Sequence, residues 1–132
     1  VFSNFWPGSG ADSDFPVKAF LYDDPNQLFR IATSNVVAAA NTEAEIRAAV
    51  FANIAFATGN SGSTSTGLSS ATADLNTIAT TNTLALRIMG IVDDAANNDF
   101  TSAGIPLIVR INNHFNAPTG SIAAGTVSTT GV

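Results

Sequence analysis

His114, in the run NNHF, is the sole imidazole of the chain. A Ser–His–acid triad needs a serine in an activating context, and no G-x-S-x-G occurs. His114 therefore reads as a polar strand-end residue. Carboxylates come as neighbours, Asp23/Asp24 and Asp93/Asp94, with Asp99 close by. Paired acids can do glycosidase chemistry or hold Ca²⁺ through hard oxygen ligands. Adjacent strand residues point to opposite faces, however, and DDPN and DDAANND have the composition of Asx turns. DDAANND also lacks the alternating acids and central glycine of an EF-hand loop. GNSGSTSTG shares only its glycines with a phosphate-cradling loop, having no P-loop lysine, and G-x-G-x-x-G is absent. It reads as a surface loop, or as a loop that hydrogen-bonds a neighbouring subunit without a charge to desolvate. No catalytic, cofactor or metal residue is assigned, and a non-enzymatic role is expected.

The elements that must position these residues centre on residues 83–115. LALRIMGIV and IPLIVRI are the two best strand signals, joined by the polar connection DDAANNDFTSAG. In the first, Leu84, Leu86, Ile88 and Val92 share one face with Gly90, and Ala85, Arg87, Met89 and Ile91 share the other. In the second, Ile105, Leu107, Val109 and Ile111 alternate with Pro106, Ile108, Arg110 and Asn112. Pro106 lacks an amide donor and belongs at a strand start or edge. Arg87 and Arg110 fall on the less apolar faces, which are expected to meet solvent or a partner.

Upstream, FPVKAFLYD (residues 15–23) alternates as a strand, DPN is a turn, and QLFRIAT returns, which predicts a hairpin. Thr42 and Glu45 form a capping box that starts the one helix signal. That helix is expected to be short and to give way to a strand in NIAFAT. GNSGSTSTGLSS is a loop of uncommon length for a compact domain, and residues 71–79 read as a weak helical or turn segment. At the start, VFSNFWP (Phe2, Phe5, Trp6) is too apolar for a free tail. It reads either as an edge strand closing the core or as an arm that docks on a neighbour. The other aromatics are expected mostly in the core.

With 132 residues the chain suits one domain able to bury a real core. The expectation is a mainly β fold, a small antiparallel β-barrel or sandwich with one short α-helix. Residues 1–14 form an arm and an acidic loop, and residues 116–132 an uncharged tail. Charged residues make up only 11%, against a usual quarter. A neutral, hydroxyl- and amide-rich surface suits packing against copies or partners, since each buried charge costs several kcal/mol; a secreted or solenoid protein has the same composition. Net charge is −5, and the five cations, Lys18, Arg30, Arg47, Arg87 and Arg110, read as scattered. The absence of a basic patch argues against nucleic-acid binding. Without cysteine there is no disulfide scaffold or thiolate metal site. No apolar run approaches the ~20 residues of a membrane span.

The order of segments adds a resemblance. FLYDDPNQLFRI is followed by the short helix, NIAFATG, STSTGLS, ADLNTIATTNTLALRIMGIVDD, NNDF and VRINNHF. This order resembles virion structural proteins of marine tailed phages over residues 1–115, most characteristically in YDDPNQLF, STSTGLS and VRINNH. Members of that group usually have a longer N-terminal region, which fits a chain that begins at Val1. The uncharged tail departs from the pattern. The resemblance implies a particle component, foremost a head decoration (cement) protein on the capsid exterior. Such proteins bind the major capsid protein, often as homotrimers at local threefold axes, without nucleic acid, membrane or cofactor. Phe2, Phe5 and Trp6, with Arg87 and Arg110, are the interface residues expected from this sequence. A tail or fibre component is the alternative within the class, and a carbohydrate-binding adhesin module the alternative outside it.

Overall fold

A computed structural model describes residues 14, 17–37, 40–95, 99–114, 116, 120–121 and 126–127. Phe2, Phe5 and Trp6 lie outside them, as does most of the C-terminal tail. The elements are β1 (Leu28–Ala32), α1 (Glu43–Ala48), β2 (Asn53–Phe56), β3 (Ala73–Ala79), β4 (Leu86–Ile91), β5 (Pro106–Ile111) and the short strands β6 (Gly120–Ser121) and β7 (Thr126–Val127). β1 to β5 make one antiparallel sheet in the order β1-β5-β4-β2-β3, while β6 and β7 pair only with each other. The mainly β expectation with one short helix holds.

The sheet curls until its edges meet. Thr33, just past β1, forms a parallel bridge with Ala73 at the head of β3. The Ser34 amide donates to the Ala73 carbonyl at 2.8 Å. Asn35 completes the seam, its Nδ2 donating to Asp74 Oδ1 (2.9 Å) and its Oδ1 accepting from the Leu75 amide (3.0 Å). A side-chain amide thus supplies the donor and acceptor that a ladder would supply, and the sheet becomes a partly closed barrel. Into it point Ile31, Ile54, Leu75, Leu86, Ile88, Leu107 and Val109, all buried, as the two-residue period of each strand requires. α1 adds Ile46, fully buried, a side chain worth about 1.5–3 kcal/mol in that position.

α1 begins where the capping box predicts. Thr42 Oγ1 accepts from the Glu45 amide, and the Glu45 carboxylate accepts from the Thr42 amide. Glu43 and Arg47 pair one turn apart on the exposed side, a contact of little energetic weight. The helix is short, as expected, and β2 follows.

Three expectations need correction. Residues 17–24 form no strand and no hairpin with β1; β1 pairs with β5 instead, Ile31 opposite Leu107 and Arg30 opposite Ile108. The turn itself forms. The Gln27 amide donates to the Asp24 carbonyl (3.0 Å) and the Asn26 amide to Asp24 Oδ1 (2.8 Å). Pro25 holds a negative φ at its first central position, the geometry of ordinary turns, whose twist splays flanking strands instead of matching them. Residues 73–79, read as weak helix or turn, are strand β3, with Ala73 and Leu75 inward. Finally, the β4–β5 register steps from Ile88↔Val109 to Gly90↔Ile108, skipping Met89. This bulge reverses the alternation, so Ile91 packs against the core opposite Leu107 and Gly90 faces outward.

Buried polar groups are paired. Thr33 Oγ1 accepts from the amides of Gly104 (3.2 Å) and Ile105 (3.1 Å). Asn112 Nδ2 donates to Asn53 Oδ1 (2.8 Å) and the Leu84 carbonyl (3.0 Å), and Asn53 Nδ2 donates to the Thr81 carbonyl (3.0 Å). NIAFATG and VRINNH therefore meet through their asparagines, which fasten β2, the end of β5 and the turn before β4. Asn112→Ala leaves the Asn53 oxygen and a carbonyl unpaired. It is expected to lower unfolding stability by about 1–3 kcal/mol, read as a urea midpoint shift at unchanged slope.

Candidate functional site

The residues with catalytic potential do not converge. His114 follows β5, and its Nδ1 accepts from the Asn116 amide at 3.1 Å. Asp24 is spent on its turn, Asp93 is exposed beyond β4, and Asp74 binds Asn35 and Asn76. Among the described residues no three acids or histidines gather as a metal site. Asp99 is held by hydroxyls: Thr101 donates to its Oδ1 at 2.5 Å and Ser102 to its Oδ2 at 2.7 Å. The Thr101 and Ser102 side chains, then the Thr101 amide, lower its pKa below the ordinary 3.8. Glu45 likewise lies below its ordinary 4.5, first through the Thr42 hydroxyl and then through the Asn41 amide. Both groups serve local structure. STSTGLS is also locally organised, with Ser63 and Leu68 bridged and Gly67 in the left-handed region at φ 68°.

What the fold does assemble is an outward sheet face. Arg87 on β4 lies directly opposite Arg110 on β5, Arg110 faces Leu28 on β1, and Arg30 stands opposite Ile108, two residues along. Three of the five cations thus share one face of an acidic protein, which corrects their reading as scattered. Like charges placed opposite each other on a sheet repel. Arg30 and Arg110 have no ion-pair or hydrogen-bond partner among the described residues, and Arg87 has only a backbone carbonyl, that of Phe51 (Nε to O, 3.1 Å).

Phe51 is itself unusual. Its φ is 72°, the left-handed region that a bulky side chain rarely adopts. The turn out of α1 has no glycine where one is usual, so Phe51 carries the strain. Its amide donates to the Ile88 carbonyl (2.7 Å) and its carbonyl takes the Arg87 bond. Phe51 as a residue is 61% exposed. A strained residue that leaves a large aromatic in solvent points to an interaction role rather than to packing.

The third component is the segment of residues 17–24. Phe20, Leu21 and Tyr22 are each more than 80% exposed. The aromatics expected mostly in the core are therefore partly outside it. Tyr22 meets Phe29 edge-on, ring centroids 6.5 Å apart. Phe29 lies opposite Val109, on the inward-facing side of β1. This second arm, residues 17–24 and distinct from the one expected at residues 1–14, is thus anchored on the side of β1 away from the arginines. Of the interface residues expected from sequence, Arg87 and Arg110 come together. Arg30, Phe51 and the arm of residues 17–24, read as a hairpin strand, were missed. Only the arm left a signal, an apolar run behind a turn unsuited to a hairpin.

No protein-family model, curated protein or solved structure matches the chain.

Two outcomes are expected. Phe51→Gly relieves the left-handed strain and should leave stability unchanged or raise it by up to about 1 kcal/mol; a larger loss in a denaturant titration would mean that the ring is core. Glu45 and Asp99 have folded pKa values below their unfolded ones, so their stabilisation is present at neutral pH. It is lost as pH falls below 4.5 and 3.8 through the lowered values. Melting temperature should therefore drop across that acid range, and less steeply in an Asp99→Asn, Glu45→Gln double variant.

Proposed function

We propose that the chain is a non-enzymatic structural component of a tailed-phage virion, a decoration protein on the capsid exterior that stabilises the head lattice. The observation that carries this reading is the exposed apolar and aromatic surface of Phe20, Leu21, Tyr22 and Phe51 on a chain with only 11% charged residues. Exposed large apolar groups on a small domain mark surfaces that partners cover. The YDDPNQLF, STSTGLS and VRINNH resemblance supplies the kind of partner. The barrel is the rigid part, while the Arg87/Arg110 face and the arm contact the major capsid protein and further copies of the chain, as in a homotrimer. Binding only the expanded lattice would stabilise it by mass action, and many weak sites on one particle act together.

A second reading has one observation of its own. Tyr22, 81% exposed, is the kind of ring on which a sugar stacks, so an adhesin module follows if it lies beside a groove. A tail or fibre component shares the structural role and differs in its place on the particle.

The test is to add labelled chain to heads lacking it and count bound copies. A decoration protein should bind expanded heads in many copies, bind unexpanded ones poorly, and raise their resistance to heat. Binding to glycans and never to particles would remove the virion reading.

A further inference from the structure

We propose that the arm of one copy, residues 17–24, docks on the arginine-bearing outer face of a second copy. The contact rests on the self-association part of the reading above and not on the capsid.

The two surfaces are complementary in charge and in chemistry. The arm presents Phe20, Leu21 and Tyr22 almost fully to solvent, followed by Asp23 and Asp24. The face presents Arg30, Arg87 and Arg110 without a carboxylate partner among the described residues. Guanidinium planes stack on aromatic rings and pair with carboxylates, so one arm offers both kinds of partner that this face lacks. The repulsion between Arg87 and Arg110 is relieved once an acid sits between them. Phe51, whose backbone carbonyl accepts from Arg87, is itself exposed and offers an apolar counterpart for Phe20 and Leu21.

The occupant is a second copy because the chain's own arm is held elsewhere. Tyr22 rests on Phe29, on the inward-facing side of β1, whereas the arginines project from the outward side. The Asp24 turn leads directly into β1, leaving no slack for the arm to cross its own edge strand. Arm and face are different surfaces, so the contact is head-to-tail. Such a contact closes into a ring when its rotation allows and otherwise propagates.

The experiment measures association of the full chain by sedimentation velocity over a concentration series. Phe20→Ser with Leu21→Ser on the arm, and Arg110→Glu on the face, should each weaken association at least about tenfold, the scale of losing one interface hot spot. All three substitutions are at exposed or outward-facing positions, and an unchanged melting curve confirms folding. Asp23→Arg should weaken association in the same way, and mixing it with the Arg110→Glu chain should restore pairing, because the intact arm of the second then meets the intact face of the first. A wild-type chain that stays monomeric throughout the series overturns the proposal, even if it still binds phage heads. So does association that none of the variants alters. If Arg110→Glu abolishes heparin binding and leaves association unchanged, the face serves a polyanion and the proposal again fails. Association that follows the variants as described, with no binding to heads, upholds this contact and removes only the capsid reading.

Discussion

Ile88 lies opposite Val109 in the middle of the barrel, and one residue earlier on β4 and later on β5 Arg87 lies opposite Arg110. The two pairs cannot be separated. A strand that turns its aliphatic residues inward must turn the alternate ones outward, so the β4–β5 ladder that builds the core also sets two half-buried arginines opposite each other on the outer face. The Met89 bulge, by shifting the register, lets Ile91 rejoin the core without moving Arg87 from its place. The repulsion on the outer face is offset within the chain by inward packing.

The strained turn after α1 belongs to the same constraint. Phe51 is bonded through its amide to Ile88 and through its carbonyl to Arg87. The backbone that delivers α1 to the core and hands the chain on to β2 is therefore tied to β4 at two neighbouring residues. A glycine would satisfy this geometry at lower cost, yet the position holds a large aromatic that the core does not take up. Like the uncovered arm, it is a local departure from what a free-standing domain requires. Such departures mark functional surfaces more often than errors of packing.

Much of the fold was legible from sequence. The alternation in LALRIMGIV and IPLIVRI predicted β4 and β5, and Thr42 with Glu45 predicted the start of α1. These signals are local and strong. β3 was missed because Asp74, Asn76 and Thr77 interrupt its apolar residues; only Ala73 and Leu75 are buried, with Ile78 half-buried against the core. The false hairpin arose because a turn signal names a reversal and not the partner of the strand that follows. β5 offered β1 a better inward match. Gly90 inside a strand was a visible sign of a bulge, but its position decides which face Ile91 joins, and that depends on the partner strand.

The site was less legible. Arg87 and Arg110 were recognisable as outward residues, but Arg30 joins them only because β1 is next to β5, a long-range pairing that no local pattern encodes. Phe51 carries no local mark of its exposure, since its backbone conformation is imposed by bonds to β4. The asparagines of NIAFATG and VRINNH turned out to be mutual hydrogen-bond partners, so part of what makes those motifs recognisable is structural.

The central claim is that arm and arginine face meet between copies. It is tested most directly by attaching a paramagnetic label at Leu21→Cys on unlabelled chains and mixing these with ¹⁵N-labelled wild-type chains. The account predicts broadening of the Arg30, Arg87 and Arg110 side-chain signals in the labelled chains, growing with concentration. Broadening that avoids these arginines at every concentration would contradict it.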